Sequence, residues 1–129
     1  MKTDISLLIL WTIACVALGV VFERASGAEI EYKTMRVTAY CPCEKCCGSG
    51  SPGVTASGLV IQEGDRFVAA PRSIAMKTWI RIPGYNNNEP VRVEDRGGAV
   101  TEGRLDVFFP THNEALQWGV KYLRVEIAR

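Results

Sequence analysis

Two aspartates stand at the ends of one connection in VRVEDRGGAVTEGRLDVFF, residues 91–109. Asp95 closes one β-rich run and precedes Arg96-Gly97-Gly98, while Asp106 lies inside a second run, RLDVFF, between apolar neighbours. A carboxyl among apolar side chains is driven toward its neutral form by desolvation, and a second carboxylate close by raises its pKa further. A general acid working near neutral pH needs such a shift. Plainer chemistry is open to both residues: Asp95 can cap the Gly-rich turn, and Asp106 can pair with Arg104 or Arg96. The pattern permits an acid catalyst without establishing one.

The second concentration of reactive groups is CPCEKCC, which places Cys41, Cys43, Cys46 and Cys47 within seven residues. In an exported chain such a cluster reads first as disulfides. Cys46 and Cys47 are neighbours and pair poorly with each other, so two cross-pairs to Cys41 and Cys43 are expected. The alternative is a metal: Cys43-x-x-Cys46 has zinc-knuckle spacing with two further thiols adjacent. Against it, structural zinc sites usually draw ligands from two segments, and no second CxxC or HxxxH exists in the chain. The expectation is therefore a structural, disulfide-bonded cluster with no metal and no cofactor.

Other candidates carry less. His112, the single histidine, opens PTHNEA, where a surface or capping role is expected. Ser57 in TASG has no His–Asp partners in the sequence around it, so serine-hydrolase chemistry lacks support. Trp79, Tyr85, Trp118 and Tyr122 offer rings that stack on sugars, yet Trp79 and Trp118 are expected in the core. The formal net charge of +1 gives no electrostatic case for nucleic acid or for an anionic membrane surface.

These residues need a scaffold, and 129 residues allow one domain. Residues 1–28 stand apart: ISLLILWTIACVALGVVF is almost wholly apolar, and ASGA follows as a set of small residues. This reads as a secretory signal peptide or, because the run is long enough to span a bilayer, a signal anchor. Cys15 in TIAC fits a lipid-anchor motif poorly. In either case residues 29–129 lie outside the cytoplasm. Within them MRVTAY, a run near Arg66–Ala70, TWIRIPG, VRVED, RLDVFF and KYLRVEIA read as strands. CPCEKCCGSGSPG reads as loop and YNNNEP as a turn. One helix is expected in PTHNEALQWG, with Thr111 as its cap, Glu114 completing a capping box and Gly119 ending it. Six short strands and one late helix predict an all-β barrel.

VTAY, GVTASG, VAAP, IPGY, VEDRGGAV, GRLDVFF and EALQWGVKYLRVEI follow one another in the order found in the 3D domain, a family named for three aspartates. The chain resembles that family over residues 35–127. The family includes stationary-phase muralytic enzymes, and its barrel is similar to that of membrane-bound lytic transglycosylase A. The resemblance implies a six-stranded double-psi β-barrel and a lytic transglycosylase. Such an enzyme cleaves peptidoglycan between N-acetylmuramic acid and N-acetylglucosamine and leaves a 1,6-anhydro end. It implies Asp106 as the catalytic acid/base, Asp95 as the second aspartate that orients or modulates it, and Thr55, Gly97 and Gly98 as substrate contacts. No metal is implied, and the partner is the glycan strand of peptidoglycan, met by a monomer in the cell envelope. Membrane contact would come only through the N-terminal segment.

The chain departs from the family pattern in two places. VAAPRSIAMKT has Pro71 directly after the alanines, so the first aspartate is missing or shifted, and Lys77 stands where glycine is usual. Glu94 is then the nearest spare carboxyl. Arg96 replaces a threonine and is expected to depress the pKa of a neighbouring carboxyl. Two rival readings accompany the enzyme: a non-catalytic polysaccharide-binding barrel, and a small module organised by the cysteines around a metal.

Overall fold

The computed structural model describes residues 27–49 and 53–129, so residues 1–26, with the expected signal peptide or anchor, lie outside the described residues. Among the described residues no helix is long and apolar enough to cross a membrane.

Six strands form the body: β1 (Ile30–Tyr40), β2 (Val68–Ala69), β3 (Trp79–Arg81), β4 (Val91–Asp95), β5 (Arg104–Phe108) and β6 (Lys121–Ala128). Their pairings run β1-β5-β2-β4-β3-β6 and return to β1, closing the sheet on itself. Two of the six pairings, β1·β5 and β2·β4, are parallel; the other four are antiparallel.

The inside of the sheet follows the period-two pattern of the sequence. Met35 and Val37 on β1, Val91 and Val93 on β4, Leu105 and Val107 on β5, and Val125 and Ile127 on β6 are all buried. Each such aliphatic side chain stabilises the fold by roughly 1.5–3 kcal/mol when fully buried. Tyr85 fills the core against Phe109 and Trp118. Its hydroxyl donates to the carbonyls of Phe108 (2.6 Å) and Phe67 (3.1 Å), so it is a core residue and does not face sugar. Trp118 is buried as expected, but Trp79 is not. Its residue is 45% exposed, with the Arg92 guanidinium 4.7 Å from its ring centroid.

β4, β6 and the late helix, α2, follow the sequence closely. α2 spans His112–Trp118, and Thr111 Oγ1 accepts from Glu114 N and donates to the Glu114 carboxylate at 2.7 Å. β1 begins five residues before MRVTAY because residues 30–37 pair with β6 over its whole length. The cysteine segment, expected as loop, contains a four-residue helix, α1 (Glu44–Cys47).

Candidate functional site

β2 is two residues long and lies between β4 and β5, and this position brings the aspartates together. Ala69 is the register partner of Asp106 on β5 and of Asp95 on β4. The β2–β4 register slips between Val68, opposite Val93, and Ala69, opposite Asp95. Glu94 is thus the extra residue of a bulge, a feature that re-aims side chains. Without it Glu94, not Asp95, would stand opposite Ala69. The two aspartates are then two strand spacings apart at the backbone, about 10 Å. Both line a cleft of about 380 Å³ with Tyr40, Cys47, Gly97 and Gly98. A larger hollow of about 520 Å³ shares Arg96, Gly97, Gly98 and Val100 with it and continues toward Pro71 and Arg72.

Asp106 is partly buried, and its carboxyl is pushed up to about 6. Burial is the main cause, and the charge of Asp95 adds to it. The hydrogen bond from Thr38 Oγ1 (3.0 Å) and the charge of Arg36 oppose the shift. Its hydrogen bond comes from Thr38, not from Arg104 or Arg96, the partners that the plainer reading offered. Asp95 has a different environment. Its Oδ1 accepts from the backbone N–H of Ala56 (2.9 Å) and of Arg96 (2.9 Å), and its Oδ2 accepts from the Tyr40 hydroxyl at 2.6 Å. Three donors fix it as an oriented acceptor, so the turn-capping reading of Asp95 holds together with its place in the cleft. Burial, reinforced by Asp95, pushes the Tyr40 hydroxyl well above the usual tyrosine range, so Tyr40 stays protonated and donates.

Thr38 and Tyr40 carry no expected role from the sequence. They occupy one face of β1 at period two within VTAY, and that alternation is the signal that could have found them. Parallel pairing sets Thr38 opposite Asp106.

Gly97 and Gly98 border the cleft. A Cβ on Gly97 would meet Val100 Cγ2 at 3.0 Å, whereas one on Gly98 would enter open space. Thr55 is buried instead. Its Oγ1 accepts from Leu59 N (3.2 Å) and meets Ser57 Oγ at 3.0 Å, closing the turn whose Ala56 N–H holds Asp95. It acts on the site through Asp95 and does not line the cleft.

The departures from the family pattern touch one another. The Arg96 guanidinium donates to the carbonyls of Ala70 (2.8 Å), Pro71 (3.0 Å) and Ile74 (2.7 Å), fastening the segment that lacks its aspartate. It is engaged there and does not lower Asp106, which corrects the expected effect. Lys77, in place of glycine, has φ of 69°, and its Nζ pairs with the buried Glu94 carboxylate, which also accepts from Ser57 Oγ. Burial raises Glu94, but Lys77 and Ser57 outweigh it and hold the carboxyl below its ordinary value. Glu94 is therefore not spare.

No disulfide joins Cys41, Cys43, Cys46 and Cys47. The expected cross-pairs are not formed, and Cys47 Sγ donates to the Cys41 carbonyl at 3.1 Å.

Known proteins resemble part of this chain in sequence. The chain is 29% identical over 97 residues to "Cell wall-binding protein YocH" of Bacillus subtilis (strain 168), covering 73% of this chain and 31% of that protein. It is 28% identical over 109 residues to "Putative cell wall shaping protein YabE" of the same organism, covering 83% of this chain and 25% of that protein. The chain thus spans about a third or less of the length of these relatives. Residues 65–128 match the family model of the 3D domain, and both cleft aspartates fall inside the match. VTAY and GVTASG, which supply Thr38, Tyr40 and the Ala56 amide, lie before it. Over residues 65–128, which carry β2–β6 and both cleft aspartates, the chain belongs to the 3D domain family.

Proposed function

We propose that this protein is a peptidoglycan lytic transglycosylase of the cell envelope, with Asp106 as its single acid/base. The observation that carries the reading is Asp106 itself. A carboxyl pushed up to about 6 opens onto a cleft that continues past a Gly-Gly turn, with a firmly hydrogen-bonded carboxylate across it. Both relatives are named for the cell wall, which supports the substrate class. The closed sheet with two parallel pairs is in keeping with the double-psi barrel that the family resemblance implies.

Protonated Asp106 donates its proton to the glycosidic oxygen as the bond from the muramic acid anomeric carbon breaks and the sugar gains oxocarbenium character. The resulting carboxylate takes the proton of the sugar's own C6 hydroxyl, whose oxygen closes onto the anomeric carbon. Acid and base are one group, restored at the end of the cycle, and no water is consumed. Asp95, held by Tyr40, Ala56 and Arg96, sustains the shift on Asp106 and supplies negative charge near the developing cation. Gly98, open to the cleft, lets a sugar approach the backbone, and Thr38 orients the Asp106 carboxyl.

A binding-only barrel is the second reading, favoured by the absent first aspartate at Ala70-Pro71. The test is digestion of purified peptidoglycan by the full chain and by Asp106→Asn, with products read by mass spectrometry. Anhydro-muropeptides from the native chain alone support the enzyme. Intact glycan that sediments with both proteins overturns it in favour of binding.

A further inference from the structure

Parallel pairing of β1 and β5 brings their C-terminal ends to the same side of the sheet. Cys41 is the first residue after β1, and His112 is four residues beyond the end of β5. Phe109 N donates to the Tyr40 carbonyl at 2.9 Å and ties the two exits together. The second ligand segment that the sequence lacked is therefore the start of α2. His112 Nδ1 lies 3.6 Å from Cys41 Sγ, 3.5 Å from Cys43 Sγ and 3.5 Å from Cys46 Sγ. The thiols of Cys41 and Cys43 are 2.7 Å apart, and those of Cys41 and Cys46 are 3.3 Å apart. All four donor atoms lie within 4.8 Å of one another.

We propose that Cys41, Cys43, Cys46 and His112 bind one structural zinc ion, adjoining the cleft through Cys46 and independent of whether the cleft is catalytic. The donor set is one of the closed Cys₃His sets that zinc favours, soft thiolates with one imidazole. A tetrahedral ion with Zn–S of about 2.3 Å and Zn–N of about 2.0–2.1 Å sets sulfur and nitrogen about 3.6 Å apart. The three observed S···N distances match that edge. Tetrahedral geometry sets the sulfurs about 3.8 Å apart, so the ion spreads the thiols from their present spacing. An S–S bond would need about 2.05 Å. The backbone suits a shared ligand position: Cys46 N donates to Cys43 O at 3.1 Å, making Cys43–Cys46 a tight turn that sends both thiols one way. Cys41 is buried and Cys46 exposed, which leaves an entry path. Cys47 does not join the set.

Binding is balanced by release of three thiol protons as three Zn–S bonds form, with neutral His112 giving its Nδ1 lone pair. Loading therefore weakens in acid. Because Cys46 and Cys47 also line the cleft with Tyr40, Asp95 and Asp106, the ion would fix one cleft wall from behind.

The test uses the full chain, purified without chelator after expression with added zinc salt. One zinc per chain by elemental analysis is expected. Replacement by Co²⁺ should give thiolate charge-transfer and tetrahedral d–d bands. His112→Ala should weaken zinc in chelator competition by at least about 100-fold, the upper range for loss of even a supporting partner. His112→Cys, a Cys₄ set, should restore it, which separates ligand loss from misfolding. Zinc well below one per chain, iron in its place, cysteines found paired by mass after alkylation, or native affinity in His112→Ala each overturn the site.

Discussion

Replacing Asp106 by asparagine should make the protein more stable at neutral pH while destroying its proposed acid/base. In the native state the carboxyl is pushed from 3.8 up to about 6, chiefly by burial. A group whose folded pKa is raised favours the native state while protonated and loses that advantage as pH rises through the folded value. Below 3.8 both states are neutral; between 3.8 and about 6 the unfolded chain has released a proton that the native protein still holds. Stability therefore falls as pH rises across this window, and above it the native state bears the whole cost. Two pKa units set a ceiling of about 3 kcal/mol. Part of the carboxyl faces the cleft, where water screens it, so the working figure is about 1–2 kcal/mol. The asparagine side chain keeps an oxygen to accept from Thr38 and carries no charge. With a urea m-value of about 2 kcal/mol/M, the middle of the usual range, the variant's midpoint should lie about 0.5–1 M above that of the native chain near neutral pH. The gap should close toward about pH 4. Urea unfolding followed by far-UV circular dichroism at several pH values measures both. An equal or lower midpoint for the variant at neutral pH refutes the desolvated carboxyl, and a gap that ignores pH assigns the effect to packing.

Tyr40→Phe removes the 2.6 Å hydrogen bond to Asp95, a charge-assisted contact worth about 1.5–3 kcal/mol; thermal unfolding should register the loss, and unchanged stability would show that the two backbone donors hold Asp95 alone. Lys77→Gly relieves a positive φ worth about 1–2 kcal/mol but leaves the buried Glu94 carboxylate without its cation, so the net change should be destabilising. The same variant should shift the acid limb. Glu94, now held below its ordinary value, contributes stability above that value and loses it as pH falls through the folded pKa, so without Lys77 that contribution should shrink. Acid titration of the two proteins by circular dichroism checks it, and identical profiles would refute the pairing.

The sequence alone was enough for the strands whose side chains alternate cleanly and for the helix whose ends are chemically marked. Val91–Asp95 and Lys121–Ala128 carry period-two patterns bounded by turn residues, and Thr111, Glu114 and Gly119 bracket α2 by local hydrogen bonding. It also singled out Asp106, because a carboxyl amid apolar strand neighbours is anomalous wherever the strand ends up. What it could not contain was any relation set by strand order. That β2 lies between β4 and β5, with a bulge at Glu94, decides that Asp95 and Asp106 share one cleft. Thr38 and Tyr40 became their hydrogen-bond partners only once β1 paired with β5. Arg96 looked like a counter-ion from its place beside Asp95, yet its long side chain turns to the carbonyls of Ala70, Pro71 and Ile74. The cysteine cluster lacked a second segment in the linear chain, and His112 stands 66 residues from Cys46. Local pattern fixes which residues form an element and which face is apolar; pairing across a closed sheet alone determines which distant residues meet, since that depends on contacts no local window spans.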